Sequence, residues 1–336
     1  MPSTPTRPYN CSTSVALCTY NGGQYIRAQI ESILRQILPV DEIVVCDDGS
    51  TDNTLQIIES FRSETPTKIR INRNETNLGV CANFQKAVNL CNGDIIFLSD
   101  QDDIWLPQKT QMITEWFSKN PCKNVVFSDA YLINESSDLI SKDTLFERIG
   151  FAKKYREYFD DGCELSVFYY CNHATGATMA LRKQYQFAQY CSPHILHDEV
   201  IALLSIQESS LGYISEPLVN YRIHSTQGMS IPASIEASEK RFNEEHILNP
   251  ILHSVRTSRW SFPLSDNTQS YKRFLHIRVK NKLSIVGFLL PLFRIKQYKL
   301  LYNNRYTSFM HYDMVASAKH TLFRIGRKFH LPSYQK

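Results

Sequence analysis

Ser99-Asp100-Gln101-Asp102-Asp103-Ile104-Trp105 packs three carboxylates into four positions. It follows Gly93-Asp94-Ile95-Ile96-Phe97-Leu98, a short apolar run that reads as a buried strand. A carboxylate cluster is a poor way to end a core element. It suits a divalent cation at the carboxyl edge of a sheet, where open α/β folds bind their ligands. It also suits the first turn of a helix, because acidic side chains favour that end of the dipole and the residues from Leu106 onward have helical spacing. The stretch alone leaves both readings open.

The residues upstream bear on the choice. Ser14–Cys18 is an apolar run, and Thr19-Tyr20-Asn21-Gly22-Gly23 turns the chain. Residues 24–36 then carry Ile26, Ile30, Ile33 and Leu34 at helical spacing, and Pro39 closes the unit. Glu42–Cys46 reads as a second strand that ends in Asp47-Asp48-Gly49-Ser50-Thr51-Asp52. A helix over 53–61, a strand at Ile69–Ile71, a helix over 81–90 and the strand at 93–98 complete a β-α-β-α-β-α-β series. Such alternation predicts a mainly parallel sheet flanked by helices. Three strand ends carry polar clusters, at Thr19–Asn21, Asp47–Asp48 and Asp100–Asp103, and all three converge on one crevice.

Downstream, Leu106–Phe117 is helical in pattern and Asn124–Asp129 reads as a strand. Residues 135–172 read as loops and short helices, Ala174–Arg182 as a strand, and His197 to about Glu208 as a helix. Gly212–Ile214 and Leu218–Tyr221 read as two short strands flanking Glu216-Pro217. The expected organisation is a flexible N-terminus over 1–11, an α/β domain over 12–232, and a helical, basic region over 233–336.

Charge separates these parts. Of 37 Lys and Arg and 33 Asp and Glu, residues 240–336 hold 18 and 4, which leaves 19 and 29 to the residues before them. A basic tail suits a polyanion, either an anionic membrane or a nucleic acid. Within it Leu283–Phe293 is apolar with basic flanks, too short to span a bilayer and interrupted by Pro291. It fits a helix lying in a membrane interface, or a packed helix of a small subdomain. Met1–Asn10 is polar and proline-rich, without the apolar centre of a signal peptide. Nine scattered cysteines with no CxxC pair suggest free thiols in a reducing compartment.

Cys18-Thr19-Tyr20-Asn21-Gly22, Asp47-Asp48-Gly49-Ser50-Thr51-Asp52, Asn77-Leu78-Gly79 and Gly93-Asp94 leading to Asp100-Gln101-Asp102-Asp103 resemble, in order and spacing, the family 2 glycosyltransferases of GT-A fold. The resemblance covers roughly residues 12–228. The Ser-Asp-Gln-Asp-Asp-Ile-Trp form, with His197-Asp198 and Tyr221-Arg222-Ile223-His224, is similar to a rhamnosyltransferase-like branch that builds bacterial surface polysaccharides such as O-antigen or capsule.

The resemblance implies an inverting transfer from a nucleoside-diphosphate sugar, with dTDP-rhamnose and UDP-sugars as candidate donors. It implies Mg²⁺ or Mn²⁺ on Asp102, with His224 approaching the metal or diphosphate. Asp100 then lies near the ribose and metal-bound water, and Asp103 is a candidate for a supporting bond or a sugar hydroxyl. Asp48 matches the acid that holds the nucleoside, with Asp47 beside it, Tyr20 over the base, and Thr19 and Asn21 at the same strand end. Asp198 matches the general base, and Glu199 is its rival. Gly176 and Ala177 match the floor of the donor and acceptor site, where glycine admits a close ligand. The expected acceptor is a lipid-linked oligosaccharide at the cytoplasmic face of the cell membrane, met by a peripheral enzyme through its basic tail.

Two other readings are weaker. A nucleotidyltransferase needs a glycine-rich basic loop at its first strand, and Thr19–Gln24 has no lysine or arginine. A non-catalytic nucleic-acid-binding protein could use the tail, but the tail carries no recognised nucleic-acid-binding motif, and no nucleic-acid partner is expected.

Overall fold

A computed structural model of the protein describes residues 11–162, 164–168, 172–185, 187 and 196–224. The sheet and the site lie in a compact unit formed by residues 1–157 and 168–243, and residues 158–167 group with 244–336 in a second. Expectations for residues 1–10, for the basic region 233–336 and for its apolar run Leu283–Phe293 lie outside the described residues.

The first half alternates as the sequence pattern requires: β1 (Thr13–Thr19), α1 (Ile26–Leu34), β2 (Glu42–Asp47), α2 (Thr54–Arg62), β3 (Lys68–Arg73), α3 (Val80–Leu90) and β4 (Ile95–Ser99). Every residue of β1, β2 and β4 is buried. Strands buried on both faces need cover on both faces. Val15, Leu17, Ile43, Val45 and Phe97 join Ile26, Ile30, Ile33 and Ile58 in one apolar cluster, while α3 packs against β1 and β2.

The second half adds β5 (Ile104–Trp105), α4 (Lys109–Lys119), β6 (Val125–Ile133), three short helices α5 (Leu145–Arg148), α6 (Lys153–Asp160) and α7 (Glu164–Phe168), then β7 (Met179–Arg182), α8 (His197–Gln207) and β8 (Leu211–Arg222). The eight strands form one sheet in the order β3-β2-β1-β4-β7-β6-β8-β5. β1 to β4 pair in parallel, and so do β6 and β8. β7 runs antiparallel to both β4 and β6, and β5 runs antiparallel to β8. The sheet is therefore mixed. Phe97 faces Ala180 and Ile95 faces Arg182, so β7 begins at the edge where β4 ends.

Element boundaries differ from the sequence reading at several places, and three of the differences have a clear physical cause. Only Met179–Arg182 of the 174–182 run is strand, preceded by a single 3₁₀ turn over Gly176–Thr178. The Thr178 hydroxyl and amide both donate to the Thr175 carbonyl, at 2.8 and 2.9 Å, and this local bonding competes with the ladder. The two short strands around Pro217 are one strand. Pro217 sits opposite Asp129 at a register shift, where an absent N–H costs no ladder bond. α4 starts at Lys109 rather than Leu106, because Leu106 precedes Pro107 and its amide bonds to the Leu218 carbonyl.

Cys18, Cys46 and Cys81 are buried thiols outside any disulfide. Trp105 is packed in the core, 3% exposed, with its ring against Phe97.

Gly93 enters β4 hard against β1. A side chain there would meet the Ser14 nitrogen and the Thr13 carbonyl carbon at 2.6 Å, both backbone atoms that cannot swing aside. Gly93→Ala is expected to cost about 1–3 kcal/mol of stability. Urea unfolding measures it, and an unchanged midpoint would show that β1 and β4 are not so closely apposed.

Candidate active site

The loops after β1 and β2 are joined by hydrogen bonds. The Thr19 hydroxyl donates to Asp47 Oδ2 (2.8 Å), and the Asp48 amide donates to the Thr19 carbonyl (2.8 Å). Asn21 adopts a left-handed backbone (φ 49°), its amide donates to Ser50 Oγ, and its Oδ1 accepts from the Thr51 amide. Asp47 also accepts from the amides of Gly49 and Ser50 and from the Ser50 hydroxyl. Its carboxylate is spent on shaping the turn.

Asp48 organises a third loop. Its Oδ1 accepts from Asn74 Nδ2 and from the Leu78 amide, both at 2.7 Å, and its Oδ2 accepts from the Gly79 amide at 2.9 Å. Asn74 is held in turn by Asn83 of α3 and by the Lys86 ammonium. Tyr20, 52% exposed, projects at the edge of this cradle. Gln101 ties the cradle to the acidic loop, accepting from the Tyr20 amide and donating to its carbonyl. A side chain on Gly22 would overlap Gln101.

The acidic loop is fixed from β8. Arg222 is 1% exposed. Its Nε donates to the Asp102 carbonyl, and one terminal nitrogen reaches the Asn134 and Glu135 carbonyls and Ser137 Oγ. Its guanidinium lies 4.6 Å from the centre of the Tyr25 ring. The Arg222 amide donates to Asp103 Oδ1, so Asp103 points inward, its Oδ2 buried without a hydrogen-bond partner. Asp102 Oδ2 meets His224 Nε2 at 2.8 Å, and the His224 ring leans on Tyr25.

On the other side Asp198 Oδ2 accepts from the Gly176 amide (3.1 Å), and Oδ1 accepts from the Glu199 amide (2.7 Å). His197 stacks on Phe84 with ring centres 3.9 Å apart. Both its ring nitrogens are buried without hydrogen-bond partners.

A family model, Glycosyl transferase family 2, matches residues 14–184. The chain belongs to glycosyltransferase family 2. An uncharacterized glycosyltransferase of Haemophilus influenzae is 28% identical over 82% of this chain and 84% of its own length. Chondroitin synthase of Escherichia coli is 32% identical over 38% of this chain, and the match spans 18% of the synthase. Among solved structures, S. aureus TarS 1-349 in complex with UDP-GlcNAc aligns over 96% of this chain and 93% of its own, with TM-score 0.57 and 15% identity. Mannosyltransferase PcManGT from Pyrobaculum calidifontis, in complex with GDP-Man and Mn²⁺, aligns over 95% and 89%, with TM-score 0.51 and 15% identity. Likeness at such low identity establishes a shared GT-A-like fold.

The electrostatics of this glycosyltransferase follow from crowding. Burial, then the charges of Asp102 and Asp198, push the Asp100 carboxyl up to about 8. Burial and the neighbouring Asp102 and Asp100 raise Asp103 well above the carboxylate range. Burial lifts Asp198 to about 6, and burial with Asp198 beside it lifts Glu199 to about 7. Burial alone drops His197 to about 3 and keeps it neutral.

Two of the expected roles change. The space beside Gly176 is filled by His197, whose Nε2 would lie 2.5 Å from a side chain there, and not by a ligand. Gly176 and Ala177 act through their backbone, as donor to Asp198 and acceptor from Lys109. Of the two roles expected of Asp103, the structure has the supporting bond, its Oδ1 accepting from the Arg222 amide.

Among the described residues no three His, Cys, Asp or Glu side chains form a ready metal shell. Asp102 and His224 nonetheless bring a carboxylate oxygen and an imidazole nitrogen to one point, beside an Asp100 already burdened by like charge. That fits an ion that takes few protein ligands and completes its shell with phosphate oxygens and water. Asp102 and His224 would hold it.

Sequence reasoning passed over Gln101, Lys109 and Arg222 as site residues. One local signal was available: a lysine as the first residue of a helix opposes the dipole and calls for another reason to be there. Arg222→Lys keeps the charge but cannot reach four oxygens. Each bond from a charged donor is worth about 1.5–3 kcal/mol, so a loss of more than about 2 kcal/mol is expected in chemical unfolding. A wild-type unfolding curve would dismiss Arg222 as the pin of the acidic loop.

Proposed function

We propose that this glycosyltransferase moves a sugar from a nucleoside-diphosphate donor to an acceptor hydroxyl with inversion at the anomeric carbon. The observation that carries the reading is the convergence at one sheet edge of three groups: the Asp48 cradle, the Asp102–His224 pair with Asp100, and Asp198. The two solved structures of similar fold were captured with nucleotide sugars, one of them with Mn²⁺.

Tyr20 and Asp48 would hold the nucleoside, with Thr19, Asn21 and Asp47 shaping the turn beneath it. Mg²⁺ or Mn²⁺, when bound, would offset the charge that builds on the departing diphosphate. Asp198 takes the acceptor's proton as the hydroxyl oxygen bonds to the anomeric carbon, and the electron pair of the broken C–O bond leaves with the diphosphate. Asp198 suits this work, since a carboxylate raised to about 6 is ionised at neutral pH yet basic enough to accept a proton. Glu199, raised to about 7, stands in reserve one residue on.

The donor we favour is dTDP-rhamnose or a UDP-sugar, and the acceptor a lipid-linked oligosaccharide of a bacterial surface polysaccharide. The basic, aromatic region over 240–336 supports a location at the cytoplasmic membrane face.

A panel of nucleotide sugars with Mn²⁺ or Mg²⁺ tests the reaction class: nucleoside diphosphate should be released, and pyrophosphate release would overturn it. Asp198→Asn is expected to retain nucleotide binding and lose about 10²–10⁴-fold in rate. Asp102→Ala should abolish the response to added metal. Wild-type turnover by either variant refutes its assignment. The base must be ionised, so kcat/KM should climb as pH rises through about 6 to 7 and level off above. A flat profile from pH 5 to 8 would exclude both acids as the base.

A further inference from the structure

Lys109 is fully buried, as the first residue of α4. Burying an ammonium is costly unless it is paired. A helix N-terminus adds to that cost, and a methionine would fill the same space without it. The Lys109 Nζ donates to the Ala177 carbonyl at 2.8 Å and lies 3.8 Å from the centre of the Trp105 ring. Burial pulls its ammonium down to about 7, against the attraction of the Asp103 and Asp100 carboxylates.

Its bonded partner leads to the other side of the site. Ala177 and Gly176 are consecutive residues of one 3₁₀ turn. The carbonyl of Ala177 is held by Lys109, and the amide of Gly176 donates to Asp198 Oδ2. The far end of the segment is fixed by β7, paired with both β4 and β6. The turn is thus a short strut, with the first residue of α4 at one end and the Asp198 carboxylate at the other.

We propose that Lys109 is a positioning residue for Asp198: through Ala177 it holds the Gly176–Thr178 turn, and so sets the base at a fixed place relative to the acidic loop. The inference rests on Asp198 being the base. It adds a requirement which that reading lacks, that donor seat and base are held in one geometry by a single buried side chain.

Lys109→Met and Lys109→Arg test it, beside Asp198→Asn. UDP and dTDP with Mn²⁺ serve as binding probes. Turnover is read with a panel of UDP- and dTDP-sugars, using octyl glycosides and water as acceptors. Lys109→Met is expected to bind the probes and the donor as the wild type does, while kcat falls by about a hundredfold, the scale of a misplaced reacting group. Lys109→Arg, which restores a charged donor, should recover part of that loss. A crystal structure of Lys109→Met should show the turn displaced and the Gly176–Asp198 bond broken.

Wild-type kcat in Lys109→Met, or a turn and carboxylate that superpose on the wild type, overturns the proposal. Failure of both Lys109 variants to fold overturns it too, since the lysine would then serve the fold and not the base. Full turnover by Asp198→Asn removes the base reading itself. An inactive Asp198→Asn beside a fully active Lys109→Met removes only the role of Lys109. Should no donor in the panel turn over, the crystal structure alone decides.

Discussion

Carboxylates gathered at the end of a buried strand repel one another, and much of this structure exists to hold them there. Two unit charges about 4 Å apart near a protein surface repel by about 4 kcal/mol. The fold answers with two buried basic side chains from distant elements, Arg222 from β8 and Lys109 from α4. It also turns Asp103 inward, where burial and its neighbours favour the protonated acid. What remains is a loop whose backbone is pinned from β8 and whose Asp102 carboxylate meets His224.

The cradle beside it follows another rule, that buried carboxylates are stable when amides surround them. Asp47 and Asp48 are neighbours with opposite tasks. One closes the turn that carries it, and the other gathers Asn74, Leu78 and Gly79 from a separate loop. Gln101 joins this cradle to the acidic loop by two backbone bonds. Four loops that leave four different strands are thereby fixed as one surface.

The alternation of strands and helices was legible because it is written in local periodicity. β1, β2 and β4 are apolar runs bounded by polar turns, and α1 shows its buried isoleucines at helical spacing. The acids of the site were legible for a related reason: carboxylates clustered at strand ends have no use in a core. Residues whose role lies in a partner far along the chain were hidden. Arg222 meets the Asp102 carbonyl across 120 positions, and Lys109 meets Ala177 across 68. Neither distance leaves a mark on local composition. Pro217 misled for the opposite reason, since a proline that breaks most strands is tolerated at the register shift that only the paired β6 reveals.

The reversed direction of β7 has a bearing on how such a chain can diversify. Parallel strands offer the loops that follow them to the crevice, whereas β7 offers the segment that precedes it. The turn before β7 therefore reaches the same edge as the acids of β4, although the chain arrives there from the opposite side. Its register is locked on both flanks, by Phe97 against Ala180 and by Val126 against the same alanine. Within the connection from Ile133 to Thr175, Asn134, Glu135 and Ser137 hold Arg222 and the Phe146 amide donates to Asp129, so a change of length leaves the frame in place only where it spares these anchors. Half of the site hangs on loops that follow parallel strands, and the other half on a turn that enters its strand from the opposite direction, with room to vary only around those anchors.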